Sequence, residues 1–109
     1  MLKELKAESV YIVCGYTDMR RSIDGLAAIV QQNLGLEPCS GSLFLFCGRK
    51  RDRLKALLWE GDGFLMMYKR LDNGAFPAQW VRSKTADIGA IYMADAGAVN
   101  RAAKGNKTY

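Results

Sequence analysis

A basic run followed by two apolar stretches constrains this chain more than any other feature. Seven of its sixteen Lys and Arg residues lie within 49–70, against three acidic residues, so this segment carries +4 of the whole-chain net charge of +5. The residue patterns at 53–59 and 64–71, joined by a glycine-rich turn at 60–63, predict two antiparallel strands. One face of the first strand would carry Leu54, Ala56 and Leu58, and the other Lys55, Leu57 and Trp59. Charge this uneven indicates a polyanionic partner.

Length and composition exclude several classes of function. A chain of 109 residues suits one domain. No apolar run approaches the roughly 20 residues of a membrane span, so we expect a cytosolic protein without membrane contact. The absence of histidine removes Ser-His-Asp and Cys-His catalysis, and Cys14, Cys39 and Cys47 lack zinc-site spacing. We therefore expect free, mostly buried thiols, no cofactor, no small-molecule substrate and no enzyme activity.

The remaining segments predict an α+β fold. Residues 9–13 indicate a strand ended by Cys14 and Gly15, and 42–47 a central strand covered on both faces. Between them, helical spacing over 18–34 predicts one long helix with Thr17 as N-cap and Gly35 as its stop. A turn at 72–74 precedes one more short strand containing Phe76 and Trp80. The expected architecture is a long helix packed on an antiparallel sheet of four to five strands, with an irregular tail.

Four blocks resemble one known family. They are Cys-Gly-Tyr-Thr-Asp-Met-Arg-Arg-Ser-Ile-Asp-Gly-Leu at 14–26, Phe-Cys-Gly-Arg-Lys-Arg-Asp-Arg-Leu-Lys at 46–55, Trp-Glu-Gly-Asp-Gly-Phe at 59–64 and Tyr-Lys-Arg-Leu-Asp-Asn-Gly at 68–74. In this order and spacing the chain resembles the small accessory protein, called TnpB or the second open-reading-frame product, of bacterial insertion-sequence family sixty-six. The resemblance implies a protein encoded beside a DDE transposase and needed for transposition, with the ends of the element or the transposase as partners.

We interpret residues 1–80 as one transposition-accessory domain and residues 81–109 as a tail that diverges from the family. This tail is rich in Ala and Gly and has no core-facing stripe, which predicts irregular structure. It lacks the Trp-Leu-Met-x-Gly-Leu segment of the family, but permitted codons for residues 93–101 encode such a segment when read one base forward. We hypothesise a frameshift near 80–84, with a divergent tail as the alternative. The nucleotide sequence of the gene decides between them.

The leading functional hypothesis is DNA binding through phosphates, with a merely solvated surface as the alternative. Each cation can neutralise one phosphate, a contact that positions a protein without reading sequence. Alternation of Arg51, Arg53 and Lys55 predicts that they share one strand face. The candidate nucleic-acid-binding residues are Arg20, Arg21, Arg49, Lys50, Arg51, Arg53, Lys55, Lys69 and Arg70. Trp59 and Tyr68 are candidates for stacking on an unpaired base, with packing on the sheet as their alternative.

Two other functions compete with DNA binding. An apolar hairpin face would make the chain a subunit that binds the transposase or a companion protein without touching DNA. This face would consist of Leu57, Trp59, Leu65 and Met67. A metal-dependent nuclease would need several carboxylates converging on two ions, from Asp18, Asp24, Asp52, Glu60 and Asp62. We disfavour it because two aspartates six positions apart on a helix point in different directions.

Overall fold

A five-stranded sheet with a short helix forms the core of the chain. The computed structural model describes residue 7, residues 9–81 and residues 91–94. Its elements are β1 (Val10–Tyr16), α1 (Ile23–Ala28) continuing as a π-helical turn (Ile29–Asn33), β2 (Leu43–Cys47), β3 (Arg53–Trp59), β4 (Phe64–Arg70), a 3₁₀ turn (Ala78–Trp80) and β5 (Ile91–Ala94). The strand order is β4-β3-β2-β1-β5. The α+β class is therefore confirmed.

The sheet is mixed, which corrects the expectation of a purely antiparallel one. β1 and β2 run parallel, with Val10 opposite Leu43 and Val13 opposite Phe46. The other three pairs are antiparallel. Parallel neighbours require a crossover, and the helical segment between β1 and β2 supplies it. The carboxyl ends of β1 and β2 consequently lie at the same edge of the sheet.

β2 is buried along its whole length, as its unbroken apolar run predicts. Leu43, Leu45 and Cys47 join one core cluster, in which Phe76 and Trp80 stack at 5.6 Å between ring centroids. The alternate residues, Phe44 and Phe46, join a second cluster with helix residues Leu26 and Val30. Because successive side chains of a strand point to opposite faces, one strand serves both clusters. The helix therefore covers one face of the sheet, and the segment after β4 covers the other.

The helix is shorter than predicted and begins later. It spans Ile23–Ala28 and the π turn Ile29–Asn33, not 18–34. Asp18 Oδ1 accepts the backbone N–H of Arg20 at 2.9 Å, and the Asp18 carbonyl accepts that of Arg21 at 3.1 Å. Aspartate competes for nearby amides in this way and so favours a turn over a helix interior. Thr17 is not the N-cap, whereas Gly35, at φ +68°, ends the helical segment as predicted.

β1 continues through the residues expected to end it. A bulge at Cys14 and Gly15 shifts the register between Val13 and Tyr16, and Tyr16 then pairs with Cys47 of β2. Gly15 adopts φ +87°, a conformation that glycine tolerates without steric cost. The bulge carries the strand to the edge of the sheet. Tyr16 is therefore placed beside the loop that follows β2.

The β3–β4 hairpin is confirmed, whereas the segment after it differs from the prediction. Every residue of β3 pairs in regular register with β4, from Arg53 opposite Arg70 to Trp59 opposite Phe64. The expected strand containing Phe76 and Trp80 is instead a loop and a 3₁₀ turn. Within the predicted irregular tail, Ile91–Ala94 form β5 against β1, so this expectation is wrong there. Residues 82–90 and 95–109 lie outside the described part of the chain.

Candidate nucleic-acid interface

One edge of the sheet collects the basic residues of the sequence. β1 runs parallel to β2, whereas β3 runs antiparallel to both β2 and β4. The carboxyl ends of β1, β2 and β4 therefore lie at the same edge as the amino end of β3. Four exposed cations lie at this edge, on the loop after β2 and at the facing ends of β3 and β4. They are Arg49, Lys50, Arg53 and Arg70, and we call them the basic edge.

A tight loop at residues 48–52 presents the first two of these cations. Gly48 N–H donates to the Arg53 carbonyl and Arg51 N–H donates to the Gly48 carbonyl, each at 3.0 Å. A Cβ at position 48 would lie 2.8 Å from Met19 Cγ, so only glycine allows Met19 to pack here. The loop is therefore fixed at both ends. Arg49 and Lys50 are left exposed between its two hydrogen bonds.

Arg51 has a structural role, unlike its neighbours in the basic run. Its φ of +59° lies in the left-handed region, which an L-residue with a side chain enters at a cost of about 1–2 kcal/mol. Arg51 Nη1 donates to the Phe76 carbonyl at 3.1 Å, and Phe76 N–H donates to the Arg51 carbonyl at 2.7 Å. Leu71 N–H also donates to the Asp52 carbonyl at 2.7 Å. Arg51 precedes β3, so it does not share a strand face with Arg53 and Lys55 as predicted.

Lys55 and Lys69 also differ from the exposed cations. Lys55 is only 9% exposed, and its Nζ donates to the Arg21 carbonyl at 2.7 Å. This bond anchors the backbone just before the helix to β3. Lys69 pairs with Leu54, and Arg70 pairs with Arg53, so Lys69 lies on the opposite sheet face from the two arginines. The nine predicted cations therefore do not form one surface.

Arg53 and Arg70 are direct cross-strand partners. Both side chains are exposed, at the end of the hairpin that adjoins the 48–52 loop. Like charges directly opposite each other on one sheet face destabilise strand pairing. A bound anion between the two guanidinium groups would reverse this effect.

Tyr16 is a component of the site that the sequence analysis missed. Its ring is 56% exposed, and the Arg49 guanidinium carbon lies 4.7 Å from the ring centroid. A cation over an aromatic face is attracted to the ring and loses conformational freedom. No short-range motif joins residues 16 and 49, because their contact depends on the parallel pairing of β1 with β2. The stacked ring orients Arg49 at the basic edge.

Arg20 and Arg21 occupy the turn before the helix and are both exposed. Arg20 Nη2 forms an ion pair with Asp18 Oδ2 at 2.8 Å, with 91% of the arginine side chain exposed. Hydrogen bonds from the Arg20 side chain, and then from its backbone N–H, hold the pKa of the Asp18 carboxyl well below its usual range. The charge of Arg20 is thus partly compensated by Asp18. Arg20 contributes less to a cationic surface than Lys50 or Arg53 does.

Two adjoining depressions lie beside the basic edge. The first, about 240 Å³, has Arg49, Lys50 and Arg53 among its lining residues, together with Asp52. The second, about 350 Å³, lies between the turn before the helix and the ends of β3 and β4. Arg53 and Met19 line both depressions. Three of the four basic-edge cations, Arg49, Lys50 and Arg53, therefore line these two depressions.

Trp59 is remote from this surface, unlike Tyr68. It packs edge-to-face on Phe64 with ring centroids 4.9 Å apart, at the other end of the hairpin. At about 3.3 Å per residue, β3 places Trp59 roughly 20 Å from Arg53. Tyr68 instead lines the larger depression, and its ring is 51% exposed. Of the two predicted stacking residues, only Tyr68 lies beside the basic edge.

The apolar interaction face predicted for the hairpin is not formed. Leu57 and Trp59 lie on the helix side of the sheet, and Leu57 is fully buried there. Leu65 and Met67 pair with Leu58 and Ala56, whose side chains point to the opposite side. The four residues therefore belong to two different faces. A single partner surface cannot include all of them.

The described residues show neither a metal site nor a membrane span. No three His, Cys, Asp or Glu side chains in this part of the chain lie close enough to hold a metal ion. None of the helices described is long and apolar enough to cross a bilayer. Cys47 is buried, which raises the pKa of its thiol to about 11, whereas Cys39 is exposed and Cys14 half-buried. The expectation of mostly buried thiols therefore holds fully for Cys47 alone.

The fold and its charged edge define a small α+β protein with a cationic surface at one end of a mixed sheet. Comparison with known proteins places this architecture in a family. A sequence model described as IS66 Orf2 like protein matches residues 8–98, and the chain belongs to this family. Membership confirms the resemblance. The matched range extends past residue 80. The domain boundary near residue 80 and the frameshift stay predictions.

Two similar proteins come from Sinorhizobium fredii. The uncharacterized protein y4hO is 45% identical over 67 residues, which is 62% of this chain and 58% of that protein. The uncharacterized protein y4jC is 37% identical over 59 residues, 54% of this chain and 50% of that protein. The matches thus span about half to three fifths of the length of these relatives. No solved structure matches the chain.

Proposed function

We propose that this chain is a non-catalytic accessory protein of insertion-sequence transposition that binds DNA phosphates through the basic edge. The observation that carries the proposal is the convergence of Arg49, Lys50, Arg53 and Arg70, all exposed, from three segments onto one edge of the sheet. Membership of the IS66 Orf2 like family supports a transposition context, in which DNA would be the polyanionic partner. Phosphate contacts of this kind position a protein on DNA without reading its sequence.

The loop that carries Arg49 and Lys50 is ordered in advance of binding. Reciprocal hydrogen bonds between Arg51 and Phe76 hold it on one side, and the Gly48 to Arg53 bond holds it on the other. Immobilising a flexible cationic side chain or loop on binding costs free energy. A loop fixed in the free protein avoids part of this cost. The internal contacts of Arg51 therefore support phosphate binding by its neighbours.

The test is the salt dependence of DNA affinity. Fluorescence anisotropy of a labelled duplex, titrated at several salt concentrations, gives the slope of log affinity against log salt. Replacing Lys50, Arg53 and Arg70 by Gln should weaken binding about tenfold or more and reduce the slope by roughly 2 to 3, because each phosphate contact contributes about 0.9. Circular dichroism and urea unfolding verify that the variant is folded.

A matched control removes the same charge from elsewhere in the chain. Arg101→Gln, Lys104→Gln and Lys107→Gln together neutralise three cations that are not among the four residues of the basic edge. Under the proposal this control binds DNA more tightly than the edge variant does. Equal losses in the two variants would show that net charge alone attracts DNA. Absence of DNA binding by the unmodified protein would also overturn the proposal and would favour a protein partner.

A further inference from the structure

The larger depression beside the basic edge combines features that phosphate binding alone does not require. Its volume is about 350 Å³, and Met19, Arg20, Arg53, Lys55, Met66 and Tyr68 line it. One aromatic ring, two methionine side chains and three cations thus surround a single open space. Methionine side chains contact aromatic groups favourably, and the cations suit an anion. The lining therefore suits a ligand that is aromatic in one part and anionic in another.

Tyr68 leaves much of its ring uncovered. Tyr11 of β1 stacks on Phe44 at 5.4 Å, and Trp59 packs on Phe64. Tyr68 contacts no other aromatic ring among the described residues. The Lys55 ammonium lies 5.9 Å from its ring centroid, and the residue is still 51% exposed. A flat aromatic ligand could cover this ring by stacking. Stacking of a base on an exposed aromatic side chain strengthens binding by about tenfold.

Lys55 brings a buried positive charge to the same space. Its ammonium has three N–H donors, and the structure accounts for one of them through the 2.7 Å bond to the Arg21 carbonyl. The ion pair between Arg20 and Asp18 is the only salt bridge within the described residues, so Lys55 has a carbonyl partner but no carboxylate partner. A buried charge is costly unless a group of opposite charge accompanies it. An anion in the depression would supply that group.

We infer that the depression binds one unpaired nucleotide of a DNA strand, with its base stacked on Tyr68 and its phosphate on Arg53 and Lys55. This inference rests on the proposed function and adds a preference for single-stranded over duplex DNA. In a duplex, neighbouring bases cover both faces of each base, so the Tyr68 ring cannot stack on one. The exposed cations bind phosphates of either form. Only the unpaired strand uses the ring as well.

The first experiment compares a labelled single-stranded oligonucleotide of mixed sequence with the duplex of the same length, by anisotropy at one salt concentration. The unmodified protein should bind the single strand more tightly. Tyr68→Ala should reduce single-strand affinity about tenfold and remove most of the preference. Tyr68→Phe retains the ring and should retain the preference. Trp59→Ala removes an aromatic ring at the far end of the same hairpin and serves as the matched control, since Trp59 packs on Phe64 and lies outside this depression.

A second experiment locates the base directly. A single strand carrying one 5-iodo-deoxyuridine is photocrosslinked to the protein, which is then digested with trypsin. We expect the crosslink on Tyr68, within the peptide of residues 56–69. Fragmentation by mass spectrometry distinguishes Tyr68 from Trp59 in the same peptide. The Tyr68→Ala variant should lose this crosslinked product.

The outcomes separate this inference from the proposed function. Equal affinity for single strand and duplex, a Tyr68→Ala variant that keeps the preference, or a crosslink at Trp59 or outside the depression would overturn the unpaired-nucleotide site. Each of these results leaves phosphate binding by the basic edge intact. Absence of binding to either DNA form would overturn both. A preference that depends on Tyr68, accompanied by the Tyr68 crosslink, supports the site.

Discussion

The two ends of the β3–β4 hairpin share the same antiparallel pairing but differ in the side chains that face each other. At the turn end, Trp59 and Phe64 pair with their rings edge-to-face, and Glu60 N–H donates to the Gly63 carbonyl at 2.9 Å. At the other end, Arg53 faces Arg70. Cross-strand aromatic pairs stabilise a hairpin and like-charge pairs destabilise it. The turn end therefore favours folding, and the basic end opposes it.

The basic end is held by contacts from outside the hairpin. Hydrogen bonds from Leu71 and Phe76 fix Asp52 and Arg51, and the Phe76 ring is fully buried. The chain thus uses tertiary contacts to maintain a charge arrangement that strand pairing alone disfavours. Such an arrangement is expected where a surface is selected to bind an anion.

Loss of the Phe76 ring should be the most damaging single change. Phe76 is fully buried and stacks on Trp80, so Phe76→Ala should lower the free energy of unfolding by about 3–5 kcal/mol. Phe64→Ala at the turn end removes a half-buried ring and should cost about 1–2 kcal/mol. Urea unfolding followed by tryptophan fluorescence measures both. Equal losses would show that the basic end does not depend on Phe76 more than the turn end depends on Phe64.

The next largest effect concerns the left-handed backbone at Arg51. Arg51→Ala leaves the Phe76 carbonyl without the guanidinium donor and keeps the unfavourable φ, so a loss of about 1–3 kcal/mol is expected. Arg51→Gly also loses the donor but relieves the backbone, and should be less destabilising by about 1 kcal/mol. Chemical denaturation of the two variants side by side provides the comparison. A glycine variant less stable than the alanine variant would contradict the role assigned to the backbone.

The facing arginines predict opposite changes in stability and DNA affinity. Arg70→Glu replaces a like-charge pair with an attractive one and should raise the free energy of unfolding by about 0.2–1 kcal/mol while weakening DNA binding. Lys69→Glu is the matched control, because it makes the same charge change opposite Leu54. Thermal unfolding and anisotropy measure the two effects. A similar stabilisation in both variants would attribute it to net charge instead of the Arg53–Arg70 pair.

The smallest expected effect is a difference in reactivity between two cysteine thiols, and it is measured on the folded, unmodified protein. Burial raises the pKa of Cys47, beneath the basic loop, to about 11, so iodoacetamide should label exposed Cys39 well before Cys47 at pH 8. Because the unfolded thiol ionises near pH 9.0 and the folded one near 11, the contribution of Cys47 to stability falls as pH rises through that window. Cys47→Ala should flatten this decline. Mass spectrometry of the labelled peptides gives the order; faster labelling of Cys47 would refute its burial.

Local patterns predicted the elements whose partners are close in sequence. The alternation around the turn at 60–63 identified β3 and β4, and the unbroken apolar run at 43–47 identified a strand buried on both faces. The predicted helix is too long because Met19 fits the apolar spacing of a helix although it lies in a turn. The spacing of apolar residues indicates which side chains face the core. A residue in a turn can face the core just as a helical residue does. The Asp18 side chain decided the boundary by binding the Arg20 amide.

The residue pattern predicted that the candidate site is basic. It did not predict which residues form the site. The amino-acid sequence alone shows that the cations concentrate at 49–70, since charge is a property of composition. It could not separate the exposed Arg53 and Arg70 from Arg51, whose guanidinium binds the Phe76 carbonyl, or from buried Lys55. Nor could it place Tyr16 beside Arg49.

Only the tertiary structure decided which cations are available to a ligand. The parallel pairing of β1 with β2 brings segments distant in sequence to one sheet edge, and the contacts made there occupy some charged groups and leave others exposed. These contacts join residues as far apart as 21 and 55, or 51 and 76. Pairings over such distances arise from the packing of the whole sheet. Local residue patterns therefore predicted the strands and the charge, whereas the assembled sheet determined the site.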